Sequence, residues 1–155
     1  MNRLFIMNDF KKRSLAKIAE YWLPVVAWAA LIFFFSTEQF SAPQTSRILV
    51  PLLHWLYPDI SPEQIALVQF AVRKLAHWIE YFVLAALLYR ALQFHSSVNR
   101  SLPRVALTMA LVLLCAASDE FHQSLLSDRT GSIYDVMIDG FGGLFGTLWM
   151  YKRGK

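Results

Sequence analysis

Charge is what this sequence has least of. Of its 155 residues, 17% are Asp, Glu, Lys or Arg, against roughly 25% in an ordinary soluble domain. A soluble domain of this length needs more polar surface than that to cover its core. Cysteine is scarcer still. Cys115 stands alone, which excludes an internal disulfide and leaves the redox compartment open. There is no long linker, low-complexity tract or internal repeat, so a single domain over residues 1–155 is expected. The basic start is interrupted by Asp9 and Glu20. No small-residue cleavage site follows the first apolar block, so no cleaved leader is expected. Missing too is a basic stripe interleaved with exposed aromatics. The net charge of +4 comes from residues that flank apolar blocks, which argues against nucleic acid as a partner.

What the chain does have is apolar residues in blocks of membrane length. They make up 56% of it, with a mean hydropathy of +0.39. The first block runs Ile18–Phe35, where Tyr21, Trp22 and Trp28 suit a headgroup belt and Pro24 reads as an early, tolerated position. The second runs Leu75–Leu92. The third begins at Val105 and reaches Asp119 too soon, since a span needs about 20 residues. It crosses only if Asp119, Glu120 and His122 are carried into the membrane or its edge. The fourth runs Ile133–Tyr151 and holds Asp135 and Asp139 in its first half. Ile48–Tyr57 is apolar but too short to span and reads as interfacial or re-entrant. Ser61, Pro62 and Gln64 make a helix start: a cap, a proline at the first position and a glutamine three after the cap. That helix either runs unbroken into the second span or kinks near Arg73 and Lys74. The expected fold is all-α and polytopic, with about four transmembrane helices plus short interfacial or re-entrant ones.

The basic residues orient these spans. Arg3, Lys11, Lys12, Arg13 and Lys17 precede the first, Arg90, Arg100 and Arg104 follow the second, and Lys152, Arg153 and Lys155 end the chain. With four spans these segments share one side. Only Arg47, Arg73, Lys74 and Arg129 fall on the other. The positive-inside rule then puts both termini in the cytoplasm. The acids divide the opposite way: all except Asp9 and Glu20 fall toward the outer side.

Ionisable groups within spans are costly and usually face a protein interior or a wet cavity. Here several spans bring them to one depth. Lys74, His77 and Glu80 are three apart and share a helix face, joined by Tyr81. Asp119, Glu120, His122 and Gln123 end the third span, and Asp135 and Asp139 are four apart on the fourth. Adjacent residues point apart on a helix, so only one of Asp119 and Glu120 is expected to face inward. Ser36, Glu38 and Gln39 leave the first span on the same side. Lys74 and Arg129 suit a phosphate. The carboxylates, Asp135 and Asp139 among them, suit magnesium, calcium or manganese. His77 and His122 suit a base, a nucleophile or a ligand. The plain alternative is that Asp135 and Asp139 pair with Lys74 and Arg129 and only hold helices together. Gly142 and Gly146 have the small-xxx-small spacing of close helix contacts.

Four pieces in order resemble the VanZ-like family of bacterial membrane proteins. They are FFSTEQ from Phe34, the K-x-x-H-x-x-E-Y of Lys74 to Tyr81, SDEFHQS from Ser118, and Arg129 followed by Asp135, Asp139, Gly140 and Gly143. They cover most of residues 28–150. Asp139 stands where many members of that family carry asparagine. The family is named for a protein linked to low-level teicoplanin resistance, and its fold has been grouped with membrane domains acting on lipid headgroups. The resemblance implies a multi-pass protein of the bacterial cytoplasmic membrane whose site holds Lys74, His77, Glu80, Asp119, Glu120, His122, Gln123, Arg129, Asp135 and Asp139. It implies an enzyme, a hydrolase or transferase, working on a phospholipid or polyprenyl-linked phosphate from the extracytoplasmic leaflet, with membrane lipids as partners. In that reading His77, Glu80, Asp119, Glu120 and His122 do the chemistry, and Lys74, Tyr81, Gln123 and Arg129 bind substrate. Asp135 and Asp139 hold a divalent cation. The alternatives are a non-catalytic binder of an envelope lipid or glycopeptide, and an ion or proton pathway. The last needs polar residues through the whole membrane thickness.

Overall fold

Every element is a helix. A computed structural model of the chain describes residues 3–95, 101–126 and 131–154. They form α1 (Arg3–Phe35), a single 3-10 turn (Glu38–Phe40), α2 (Ala42–Leu56), α3 (Pro62–His95), α4 (Ser101–Ser124) and α5 (Ile133–Arg153), with no strand among the described residues. Arg129 lies outside the described residues.

Three helices are long and apolar enough to cross a membrane, over Ala16–Phe35, Pro62–Phe94 and Leu102–Ser124. The chain is therefore an all-α, multi-pass membrane protein. The expected fourth span is α5. Its 21 residues reach about 30 Å at 1.5 Å per residue, but two aspartates and four glycines dilute its apolarity. It is therefore not among the three apolar spans. Met137, Phe141, Phe145 and Leu148 are exposed along one face, while Asp135, Asp139, Gly142, Gly143, Gly146 and Thr147 are buried along the other.

The contacts fix the helix directions. Tyr21 stacks on Phe94 with ring centroids 4.2 Å apart, and Trp28 Nε1 donates to the Glu80 carbonyl at 2.9 Å, so α1 and α3 run antiparallel. Lys74 meets Asp135 at one end of α5, and Gln93 lies by Gly154 at the other, so α3 and α5 run parallel. The Arg104 guanidinium sits 5.4 Å over the Tyr89 ring, which makes α4 antiparallel to α3. A Cβ at Gly142 or Gly146 would drive into the backbone carbonyl of Trp78 or Phe82, and one at Gly143 into Val112. Glycine here lets α5 wedge between α3 and α4 at backbone distance, as the small-xxx-small spacing predicts.

Local signals explain the starts. The Ser61 backbone N–H donates to Gln64 Oε1 at 2.9 Å and the Gln64 N–H donates to Ser61 Oγ at 3.3 Å, a reciprocal capping box. From it α3 continues unbroken for 34 residues. Ser132 caps α5 by accepting the Tyr134 N–H at 3.2 Å. Three expectations need correction. Pro24 is not early: α1 begins at Arg3, so the proline lies deep inside the helix. Trp28 is a half-buried tie to α3 and not a belt residue. The short segment after the first span is helical from Ala42, six residues before Ile48. Ile48, Leu52, Trp55 and Leu56 are exposed along it, while Thr45 and Leu49 face a cavity beside α3.

Candidate functional site

That cavity has a volume of about 520 Å³ and lies among the end of α1, α2, the first half of α3 and the end of α4. Ile32, Phe35, Phe40, Leu49 and Phe70 give it apolar walls, and His77, Glu80, Asp119 and Gln123 give it a polar floor. Arg73 and Gln69 also line it. They precede His77 by four and eight residues, so helical spacing places them on its face. That spacing was the available signal for two residues which motif reasoning passes over. Gln69 Nε2 donates to Ser46 Oγ at 2.9 Å and so ties α2 to the cavity's side.

Beside the floor, three helices each deliver one group to a single point. His77 from α3, Glu120 from α4 and Asp139 from α5 are all buried, with candidate ligand atoms within 4.8 Å of one another. His77 Nδ1 lies 3.4 Å from Asp139 Oδ1, close enough to attract but not in hydrogen-bonding geometry. The carboxylate at this imidazole nitrogen thus comes from another helix, α5. Glu120 is held from behind. A Cβ at Gly131 would meet the Glu120 carbonyl oxygen at 2.6 Å. Glycine therefore permits the close approach in which the Ser132 N–H donates to Glu120 Oε2 at 2.7 Å.

Asp119 and Glu120 are both buried, at 1% and 5% exposure. The expectation that only one faces inward is wrong. The end of α4 is sandwiched, so Asp119 lines the cavity while Glu120 meets the turn into α5. Asp119 Oδ2 accepts from Gln123 Nε2 at 3.0 Å. Tyr81 is fully buried, among Asp119, Asp139 and Glu80. Lys74 is bonded to Asp135, which is the structural pairing held open above. Asp135 is accordingly not part of the three-residue cluster, and Asp139 is. His122 belongs neither to that cluster nor to the cavity lining; its ring lies 6.0 Å from Phe33 of α1.

The floor is short of partners. Ser36 Oγ, His77 Nδ1, Tyr81 Oη, Asp119 Oδ1, Glu120 Oε1 and both carboxylate oxygens of Asp139 are buried without a hydrogen bond. Each such group costs about 1–3 kcal/mol, so this end of the bundle is built at the expense of stability. Away from the site the core is apolar, made by Leu84, Ala85, Leu88, Ala91 and Val112.

An all-helical, multi-pass bundle with a buried cluster of acids around a histidine defines a membrane protein with a buried polar cluster between its helices. Comparison with known families then identifies it: the VanZ/LLP1 family model matches residues 21–152, and the chain belongs to that family. Neither the curated proteins nor the solved structures offer a match.

Proposed function

We propose that the chain binds a phosphorylated lipid headgroup, of a phospholipid or a polyprenyl phosphate, and hydrolyses or transfers it. The cavity carries this reading. It has the size of a small-molecule site, and its apolar walls adjoin a polar floor. A lipid has the same two-part chemistry, with a chain for Phe35, Leu49 and Phe70 and a headgroup for Arg73, Glu80, Asp119 and Gln123. His77 stands at the headgroup as base, nucleophile or metal ligand, and its imidazole faces the Asp139 carboxylate. Arg129, assigned from the sequence motif, adds a second phosphate contact.

We place the site in the half of the membrane away from the cytoplasm, with α5 as the fourth span. Arg90, Arg104 and Arg153 support this, because they lie over Tyr21, Tyr89 and Trp149 at the end opposite the site, where the positive-inside rule puts cytoplasmic charge. An ion pathway fits less well. Beyond the site the core is apolar, and its buried hydroxyls, Thr108 and Thr147, donate to carbonyls of their own helices.

The test uses purified protein with radiolabelled phospholipids and polyprenyl phosphates, assaying binding and product for wild type, His77→Ala and Arg129→Ala. Product from wild type alone is expected. Saturable binding without product would leave a protective binder in place of an enzyme, and neither binding nor product across the panel would sink the lipid reading.

A further inference from the structure

We infer that His77, Glu120 and Asp139 form a binding site for one divalent transition metal ion, of the zinc or manganese kind. Four observations converge on it. Each of α3, α4 and α5 supplies one ligand, and the three groups come within 4.8 Å of one another while fully buried. The facing atoms, His77 Nδ1, Glu120 Oε1 and the Asp139 oxygens, have no hydrogen-bond partner. A purely structural cluster would satisfy such groups. Glu120 is already oriented from outside by the Ser132 N–H at 2.7 Å, which leaves its other oxygen for an ion. Metal-ligating carboxylates are supported in this way.

The local charge calls for a cation. Glu80, Asp119 and Asp139 act electrostatically on His77, and Asp135 and Asp139 on Glu120. Against these five carboxylates stand Lys74, already engaged by Asp135, and Arg73 in the cavity lining. The acids outnumber the cations, and a divalent ion would offset the surplus beside a bound phosphate.

The donor set narrows the ion. Magnesium and calcium favour all-oxygen shells, whereas an imidazole beside carboxylates suits zinc, manganese or iron. Three protein ligands leave a position open, as in sites where zinc activates water. Asp135, which spacing alone offered as a ligand, is bonded to Lys74 and stands outside the three-residue cluster.

The experiment uses the full chain in detergent, purified without a polyhistidine tag, stripped with chelator and dialysed against zinc(II) or manganese(II) alone. Metal per chain is read by mass spectrometry. Wild type and the exposed-site control Glu63→Gln are expected to hold about one equivalent, and His77→Ala and Asp139→Ala less than a tenth of that. Uptake by wild type no greater than a detergent blank, unchanged uptake by His77→Ala, or equal loss in Glu63→Gln would each overturn the site. Should the triad variants fail to fold, spin-echo modulation from manganese(II) on wild type decides. One histidine nitrogen is expected, and a spectrum without it refutes the assignment. Uptake is read with no lipid present. A chain that binds metal but processes no lipid therefore refutes only the lipid reading, and lipid turnover by metal-free protein refutes only the metal site.

Discussion

The two ends of this bundle treat buried polar atoms in opposite ways. Toward the arginine-bearing end, Thr108 and Thr147 are fully buried, and each hydroxyl donates at 2.8 Å to a carbonyl one turn back in its own helix. Around them Leu84, Ala85, Leu88 and Val112 fill the space. Toward the other end, His77, Tyr81, Asp119, Glu120 and Asp139 are also buried, yet each leaves an atom without a hydrogen bond. The same helices make both ends, so the difference lies in what each end is for. One end packs helices together. The other keeps polar atoms unsatisfied and open to a ligand, which is the usual trade of stability for function.

The comparison predicts that the packing end tolerates almost nothing. In Gly146→Val, the new side chain collides with the Phe82 carbonyl and Ala85. Backbone cannot yield as a flexible side chain does, so α5 must lift from α3. A loss of about 3 kcal/mol is expected from such overpacking, read as a lower Tm and aggregation on size exclusion. Wild-type behaviour in this variant would mean that the helices are not held at backbone distance.

The next effect tests whether the polar end contains any purely structural pair. Lys74 and Asp135 are mostly buried, with side chains 17% and 10% exposed. Lys74→Met leaves a carboxylate without its partner, and removing one member of a buried pair costs about 3 kcal/mol. Adding Asp135→Leu removes the stranded charge, so most of that loss is expected to return. A double-mutant cycle by thermal unfolding measures it. Failure of the second change to rescue the first would show that Asp135 has a role beyond pairing.

Much of this was legible in the chain. Period-3 and period-4 spacing placed Lys74, His77, Glu80 and Tyr81 on one face, the capping box fixed the start of α3, and the Gly142–Gly146 spacing announced a close helix contact, though not its partner. What was not legible depends on which helix stands beside which. Two adjacent acids, Asp119 and Glu120, are both buried only because the end of α4 has a neighbour on each side. Asp139 faces His77 only because α5 runs parallel to α3 in that register. That α5 is not among the three apolar spans has a related reason: its aspartates and glycines, which are buried, lower its apolarity.

The smallest effects give the sharpest form of the comparison, because they should differ in sign. Asp139 is fully buried, neither carboxylate oxygen accepts a hydrogen bond, and Oδ1 faces His77 Nδ1 at 3.4 Å. In chelated buffer Asp139→Asn keeps the shape, removes the buried charge and should stabilise the protein by about 1 kcal/mol. Thr147 is equally buried, but its hydroxyl bonds Gly143 O at 2.8 Å. Thr147→Val keeps the volume and removes a bond of the kind worth about 0.6 kcal/mol inside membrane proteins, so it should destabilise slightly. Thermal unfolding of the two variants beside wild type reads both shifts. Opposite signs follow if one end is optimised for packing and the other held open for a ligand. Equal losses would make Asp139 an ordinary core residue whose charge the fold needs.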